Sequence, residues 1–381
     1  MGPDGTVRDG ECCAAMSDAV PRPRASVAAL PAYKPGKSAE AAMAEHDLDE
    51  AIKLASNENP FDPLPSVADA LARAGSLAPR YPDHRATAVR EAIAAHLRLV
   101  VEQVAVGCGS VGLLQQLALT YVDPGQHVLY GWRSFEVYPI YVQTVAGVSI
   151  QIPNVEHRID MAGVTAAVDD RTRLVLVTSP NNPTGTAVTH AELERLLAVV
   201  PPECLVVLDE AYYEYVTAPD APDALGLLAA HPNLAVLRTF SKAYGLAALR
   251  IGYLLGHPEV VSAVDRVLVP FAVNGLAQAG ALASLAAHDE LTQRVSETLR
   301  ERDRMVGEIQ RRGIALPDAQ ANFVWLPVGY RALGLTAALE RRGVVTRPFA
   351  DEGVRITIGS VTENDRMLHA LDGALAELAS A

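Results

Sequence analysis

The chain has 381 residues, half of them hydrophobic, with a formal net charge of −13, enough for one large domain plus a smaller one. The acidic balance argues against a nucleic-acid or membrane-surface partner, and no run of about 18 apolar residues is present to span a bilayer. The four cysteines (Cys12, Cys13, Cys108 and Cys204) form neither a CxxC pair nor a disulfide framework, which points to a reducing cytoplasm.

In chain order, residues 1–24 are Gly-, Asp- and Pro-rich and lack the basic-then-apolar order of a signal peptide. They are expected to be a disordered leader, with Met16 as an alternative start. Residues 25–50 are expected to form an N-terminal arm that belongs to the small domain. From 51 to 265, short apolar runs at 104–106, 127–130, 174–178, 205–209 and 234–238 alternate with amphipathic segments such as 86–99 and 190–199. Buried parallel strands read as continuous apolar runs, so this region predicts a large α/β domain with a mostly parallel sheet between helices. After 265 a long helical stretch, 275–313, leads to strand-like pieces at 321–326, 343–346 and 354–358. These predict a smaller α+β domain over 266–381.

The residues able to do chemistry fall at the ends of the apolar runs, where open α/β sheets gather ligands. Thr239-Phe240-Ser241-Lys242-Ala243-Tyr244-Gly245, with Arg250 eight positions after the lysine, sets an amine among hydroxyls and a guanidinium. That set suits covalent capture of a phosphorylated aldehyde. Lys242 would be the Schiff-base partner of pyridoxal phosphate, with Thr239, Ser241 and Arg250 on the phosphate. Asp209 ends a buried run and could pair with a protonated pyridine nitrogen, which makes the ring an electron sink. Tyr212 could donate to the ring's phenolic oxygen.

Other segments admit two readings. Ser179-Pro180-Asn181-Asn182-Pro183-Thr184-Gly185 is either an ordinary turn or a loop whose Asn182 bonds that same oxygen. Gly107-Cys108-Gly109-Ser110-Val111-Gly112 lacks GxGxxG spacing but precedes a helical run, where peptide N–H groups can meet a phosphate. Phe135, in the aromatic-dense stretch 132–138, is the candidate platform for a flat ring; a packed cluster is the alternative for Trp132 and Tyr138. Arg347 and Arg355 stand in apolar surroundings where an unpaired guanidinium is costly. They would grip a substrate carboxylate or form salt bridges to Asp351 or Glu352. Four apolar residues before Asp209-Glu210 also describe the magnesium-binding strand of a P-loop NTPase, and Gly36-Lys37-Ser38 ends like its phosphate loop. That motif needs glycine at position 31, where this chain has Pro31, which lacks the required N–H.

Taken together and in this order, from about Tyr33 to the C-terminus, these segments resemble the pyridoxal-phosphate-dependent aminotransferases of fold type I. The branch is that of the histidinol-phosphate and aromatic amino acid enzymes. The resemblance implies covalent attachment at Lys242 and phosphate ligands at Ser110 and Val111 (backbone), Thr239, Ser241 and Arg250. It further implies ring stacking by Phe135, phenolic-oxygen partners Asn182 and Tyr212, and Asp209 on the pyridine nitrogen. Tyr81, in Arg80-Tyr81-Pro82-Asp83, would reach the phosphate of a neighbouring subunit, so a homodimer with shared sites is implied. Tyr33 and Asn57 would form the substrate-side wall, with Arg347 and Arg355 as substrate ligands.

Two departures stand out. Val111-Gly112 replaces the acidic residue that often follows the phosphate-loop serine, which leaves only a backbone contact there. Trp132-Arg133-Ser134-Phe135-Glu136 replaces the Pro-Thr-Tyr type of many histidinol-phosphate enzymes and looks more like the phenylalanine branch. The expected activity is therefore transamination between phenylalanine or tyrosine and a 2-oxo acid such as 2-oxoglutarate, with histidinol phosphate as the alternative amino donor. A decarboxylase on the same scaffold would release CO2. A regulator built on it would carry an added helix-turn-helix domain, for which the N-terminal segment has no room.

Overall fold

A computed structural model describes residues 21–30 and 36–380; the leader residues 1–20 and Tyr33 lie outside the described residues. Its strands, in chain order, are β1 (Ile52–Lys53), β2 (Val104–Gly107), β3 (His127–Trp132), β4 (Val148–Pro153), β5 (Thr172–Thr178) and β6 (Leu205–Asp209). These are followed by β7 (Leu234–Thr239), β8 (Gly252–Gly256), β9 (Phe323–Leu326), β10 (Val344–Val345), β11 (Arg347–Phe349) and β12 (Gly353–Thr357). Seven of them form the large sheet, in the order β2-β8-β7-β6-β5-β3-β4. The run from β7 to β4 is parallel, and β8 alone is antiparallel to both neighbours. The mostly parallel α/β sheet expected of fold type I is present.

Period-two alternation splits this sheet's side chains into two cores. Val175, Val177, Val206, Leu208 and Val236 enter one. Leu174, Leu176, Leu205, Val207, Ala235 and Leu237 enter the other. Both faces are covered by helices, which is why the central strands read as unbroken apolar runs. Two strands have no counterpart among those runs. β4 is an edge strand with every residue at least partly exposed, and its alternation of Val148, Ser149, Ile150 and Gln151 hides it. β8 is short, bounded by Gly252 and Gly256, and continuous in sequence with the apolar loop before it.

The second body is built on β9, β11 and β12, an antiparallel sheet of order β11-β12-β9. Helices Ala332–Glu340 and Val361–Ser380 share a core with it that also holds Leu54, Met305 and Ile309. Packing moves the boundaries expected from the sequence. The helical stretch at 275–313 is two helices, Gly275–Ala286 and His288–Arg311, joined at Ala287, where no glycine or proline announces a break. The first packs Ala277 and Ala281 into the large core, against helices Pro65–Gly75 and Thr87–Leu97. At the other end, β1 pairs in parallel with β10 of the small body, although it lies after residue 51. We therefore propose the divisions near residues 56 and 287 rather than at 51 and 265. Helix Ala39–His46 touches β10 of the small body, whereas the short helix Ala25–Ala28 sits on the large body's helix Tyr138–Thr144.

Candidate active site

Strand alternation decides what each residue at the ends of β6 and β7 can do. Asp209 continues the Leu205–Val207 face of β6, and Thr239 continues the Ala235–Leu237 face of β7, so both point to the same side. There Asp209 is 4 % exposed. Its Oδ2 accepts a hydrogen bond from the Tyr138 hydroxyl at 2.9 Å, and Tyr138 is held in turn by Thr178. Its Oδ1 is buried without a hydrogen-bond donor. Burial pushes the Asp209 carboxyl up to about 6, and the bond from Tyr138 opposes that rise. The residues adjacent to these two, Glu210 after Asp209 and Arg238 before Thr239, point to the opposite face and pair with each other, Nε to Oε2 at 2.8 Å. The Arg238 guanidinium also lies 3.7 Å from the Tyr213 ring centroid. This buried pair ties the end of β6 to the end of β7 directly behind the site.

Beyond β7 the chain turns through Phe240 and Ser241 to Lys242. Lys242 Nζ donates to the Ser56 carbonyl at 3.2 Å. Burial, reinforced by the Arg355 and Arg250 guanidiniums, pulls its ammonium down from 10.5 to about 7. Near neutral pH a good share of this lysine is therefore the free amine, the form able to attack a carbonyl. Asn59 braces the loop by donating to the carbonyls of Lys242 and Ala243.

Around Arg250 the cavity wall is a cradle of small groups. Thr239 Oγ1 and Ser241 Oγ lie 3.0 Å apart, and Arg250 Nη1 reaches Ser241 Oγ at 3.4 Å. Helix Gly109–Tyr121 points its N-terminus there, with Ser110 and Val111 in its first turn. Glycine is needed at two positions. Gly109 has φ +71°, and a Cβ on it would meet Arg250 Nη2 at 2.5 Å. A Cβ on Gly252 would stand 2.4 Å from the Ser110 nitrogen, so β8 can pass the loop only without a side chain.

The opposite wall of the cavity is made where the two bodies meet. Arg355, on β12, donates to the Ala55 carbonyl at 2.6 Å and to Asn182 Oδ1. Asn57, in the left-handed region at φ 53°, donates to the Tyr212 hydroxyl at 2.9 Å. Its backbone N–H and carbonyl are taken by Thr357 and Asn322. Arg347 pairs with Glu136 across the gap at 2.8 Å. Neither arginine meets Asp351 or Glu352, the carboxylates close by in sequence; Glu352 pairs with Arg133 instead.

One cavity of about 200 Å³ gathers Ser110, Val111, Phe135, Asn182, Asp209, Tyr212, Thr239, Ser241, Lys242, Arg250, Asn57, Arg347 and Arg355. Tyr81 is elsewhere, 83 % exposed and stacked on Phe271 at 4.6 Å between centroids. Sequence reasoning missed Ser56, Glu136 and Thr178 as cavity walls. It also left Tyr138 open between ring platform and packing and gave its hydroxyl no partner, whereas that hydroxyl donates to Asp209. Tyr138 stands in the aromatic-dense stretch that contains Phe135, so the signal was present but pointed to no partner.

The residues fit pyridoxal phosphate. An orphaned acceptor on Asp209 awaits a ring N–H, a depressed lysine awaits a carbonyl carbon, and the hydroxyl–arginine cradle awaits a phosphate. Phe135 lines the cavity beside them.

Residues 49–371 match the family model described as aminotransferase class I and II. The chain is 50 % identical over 345 residues to an aromatic amino acid aminotransferase of Thermobifida fusca, covering 91 % of this chain and 95 % of that protein. It is 48 % identical to the protein of the same name in Mycobacteroides abscessus, covering 91 % and 97 %. Among solved structures, the histidinol-phosphate aminotransferase of Sinorhizobium meliloti in complex with pyridoxal-5'-phosphate superposes with a TM-score of 0.87 at 29 % identity, covering 94 % and 99 %. A mutant of the Thermus thermophilus aspartate aminotransferase shares the fold, with a TM-score of 0.77 at 23 % identity and coverage of 91 % and 97 %.

Proposed function

This chain belongs to the class I and II aminotransferase family, and from that premise we propose that it is an aromatic amino acid aminotransferase. Its donor is phenylalanine or tyrosine, its acceptor a 2-oxo acid such as 2-oxoglutarate, and its cofactor pyridoxal phosphate. The observation that carries the substrate class is the 50 % identity, over nearly the whole of both chains, to a protein named for that activity. The convergence of Lys242, Asp209 and Arg250 on one cavity supports the reaction class.

When bound, pyridoxal phosphate supplies an electron sink beside the substrate's α-carbon. Asp209 would hold the pyridine nitrogen in its protonated form, with the buried, unbonded Oδ1 as the acceptor. Thr239, Ser241, Arg250 and the peptide N–H groups of Ser110 and Val111 would hold the phosphate. Phe135 would cover one ring face, and Asn182 and Tyr212 would bracket the phenolic oxygen. Asn57 fixes the Tyr212 hydroxyl and so acts on the cofactor side as well as lining the cavity. Lys242 would bind the cofactor covalently at rest. Its amine, titrating at about 7, is suited to accept and return the substrate's α-proton at neutral pH. Arg355 would grip the α-carboxylate.

The single chain leaves an apolar surface at Leu77, Tyr81, Phe271 and Leu276 exposed, rimming a surface pocket near Pro82 and Pro270. A second copy seated there, with its Tyr81 completing this site, is the assembly that best fits such a patch. No helix among the described residues is long and apolar enough to cross a membrane. Cys108 and Cys204 are free thiols, in keeping with a cytoplasmic protein.

The test is to purify the protein with pyridoxal phosphate and follow its visible spectrum on adding L-phenylalanine, then 2-oxoglutarate. Loss of the lysine-bound band with phenylalanine and its return with the oxo acid is the expected result. Conversion by histidinol phosphate far more efficient than by phenylalanine would reassign the donor.

A further inference from the structure

Arg347 and Arg355 are direct cross-strand partners in β11 and β12. Their side chains therefore leave the hairpin on the same face, and both line the cavity. Two guanidiniums side by side are a receptor for a dianion such as a phosphomonoester. In this chain one of them is already answered. Glu136, immediately after Phe135, lines the same cavity and accepts a hydrogen bond from Arg347 Nη2 at 2.8 Å. Arg355 donates to the Ala55 carbonyl and to Asn182 Oδ1.

We propose that Glu136 is a specificity-determining residue that masks Arg347 and so converts a potential dianion site into one suited to a single carboxylate beside an aromatic ring. A monoanionic α-carboxylate needs only Arg355. The rest of the substrate then meets the Arg347–Glu136 pair, which carries no net charge. A phosphomonoester would have to displace Glu136 from Arg347 while facing Glu136's own negative charge, so the pair acts chiefly by rejecting the wrong ligand. The inference rests on the aminotransferase reading for the identity of the substrates, but the anion discrimination itself can be measured without it.

The fold supplies its own control. A second ion pair of opposite sense crosses the same gap, from Arg133 Nε to Glu352 Oε1 at 2.9 Å, and neither residue lines the cavity. If Glu136 were only a clasp between the two bodies, breaking the outer pair would have the same consequence as breaking the inner one.

The experiment is calorimetric titration of the wild-type holoenzyme and its variants with inorganic phosphate and with phenyl phosphate, alongside KM and kcat for L-phenylalanine. Glu136→Gln is expected to bind the phosphate probes about tenfold or more tightly, the worth of one released charge-assisted contact. Glu352→Gln should bind them as wild type does, and Glu136→Gln with Arg347→Gln should lose the gain. Arg347→Gln alone, which needs no change at Glu136, should leave the weak binding of the wild type unaltered. A gain that is absent in Glu136→Gln, shared by Glu352→Gln, or retained in the double variant overturns the proposal. So does a tenfold loss in Arg347→Gln alone. If the phosphate pattern holds while phenylalanine is no substrate, the assigned function fails and the masking stands.

Discussion

The cofactor side of the cavity is made from neighbouring strand ends of one sheet, whereas the substrate side is made from segments that meet across the gap between two bodies. On the first side, Asp209 and Thr239 are placed by strand register and braced from behind by the buried Glu210–Arg238 pair. That over-determination lets the fold hold an unsatisfied carboxylate oxygen and a depressed lysine, both costly on their own. On the second side, Arg355, Asn57 and Arg347 are placed by hydrogen bonds and ion pairs from the other body, to Asn182, Thr357 and Glu136. Such contacts can change residue by residue without disturbing the sheet. In the proposed function reaction chemistry falls to the half built on strand ends and substrate choice to the joint, so variants on the two sides should fail in different ways.

The largest effect should come from the lysine. Lys242→Ala is expected to lower turnover by about 10²–10⁴-fold or more, the usual worth of a positioned proton-transfer group, and to abolish the lysine-bound visible band. Its titration gives a sharper test. With the ammonium lowered to about 7, the apoprotein should capture pyridoxal phosphate faster as pH rises to about 7, and at a nearly constant rate above it. An exposed lysine would keep accelerating toward pH 10. Stopped-flow absorbance from pH 5.5 to 9 separates the two.

Asp209→Asn should come next, with a loss of about 10²–10³-fold in kcat, the scale for removing one preorganised electrostatic partner. The same change should stabilise the apoprotein. The Asp209 carboxyl is raised from 3.8 to about 6, so the folded chain holds the proton more tightly than the unfolded one does. That contribution is fully present below about 3.8 and is lost as pH rises through about 6. At pH 7 to 8 the apoprotein therefore carries an ionised, buried carboxylate, and asparagine relieves it. A higher apo melting temperature at pH 8, with the difference narrowing below pH 6, is expected. A lower one would mean that the site is not strained in the way its orphaned oxygen implies.

Arg355→Gln carries the test to the other wall. Its main effect should be on KM for phenylalanine, about 10–100-fold for the loss of a charge-assisted contact, with kcat reduced less. It also probes how separate the two sides are. Arg355 is the largest electrostatic influence holding the Lys242 ammonium down. Removing it should move the midpoint for cofactor capture above about 7. An unmoved midpoint would make the sides independent.

Legibility in the sequence follows the same division. Asp209, Lys242, Thr239 and Asn182 could be found because each follows an apolar run, and strand ends in an α/β sheet are where ligands collect. The central strands were equally plain, since both their faces are buried. What escaped depends on partners far away in sequence. Glu136 finds Arg347 at a separation of 211 residues, and nothing in Phe135-Glu136-Val137 announces that pairing. Asn57 reads as substrate wall until the structure shows its amide on Tyr212. The helix Gly275–Ala286 reads as part of the small body because its alanine-rich stretch carries no sign of which core it enters.

The smallest expected effect is the most diagnostic of how the rigid half works. Tyr138 never lines the cavity; it touches Asp209 from behind, and Tyr138→Phe removes one hydroxyl without opening space. The loss should be about 1 kcal/mol, several-fold in kcat/KM, as for one hydrogen bond to a buried partner. Its direction in pH is fixed by sign. The Tyr138 bond favours the ionised carboxylate and opposes the rise caused by burial, so removing it lets the Asp209 carboxyl climb further above about 6. Below its pKa the carboxyl keeps its own proton and cannot accept one from a protonated ring nitrogen. Cofactor affinity should therefore begin to fall at a higher pH in Tyr138→Phe than in wild type, a shift readable by equilibrium dialysis of pyridoxal phosphate across pH 5 to 8. A uniform weakening with no pH shift would make Tyr138 packing and nothing more. A shift would show that the catalytic carboxylate is tuned by a residue the substrate never meets.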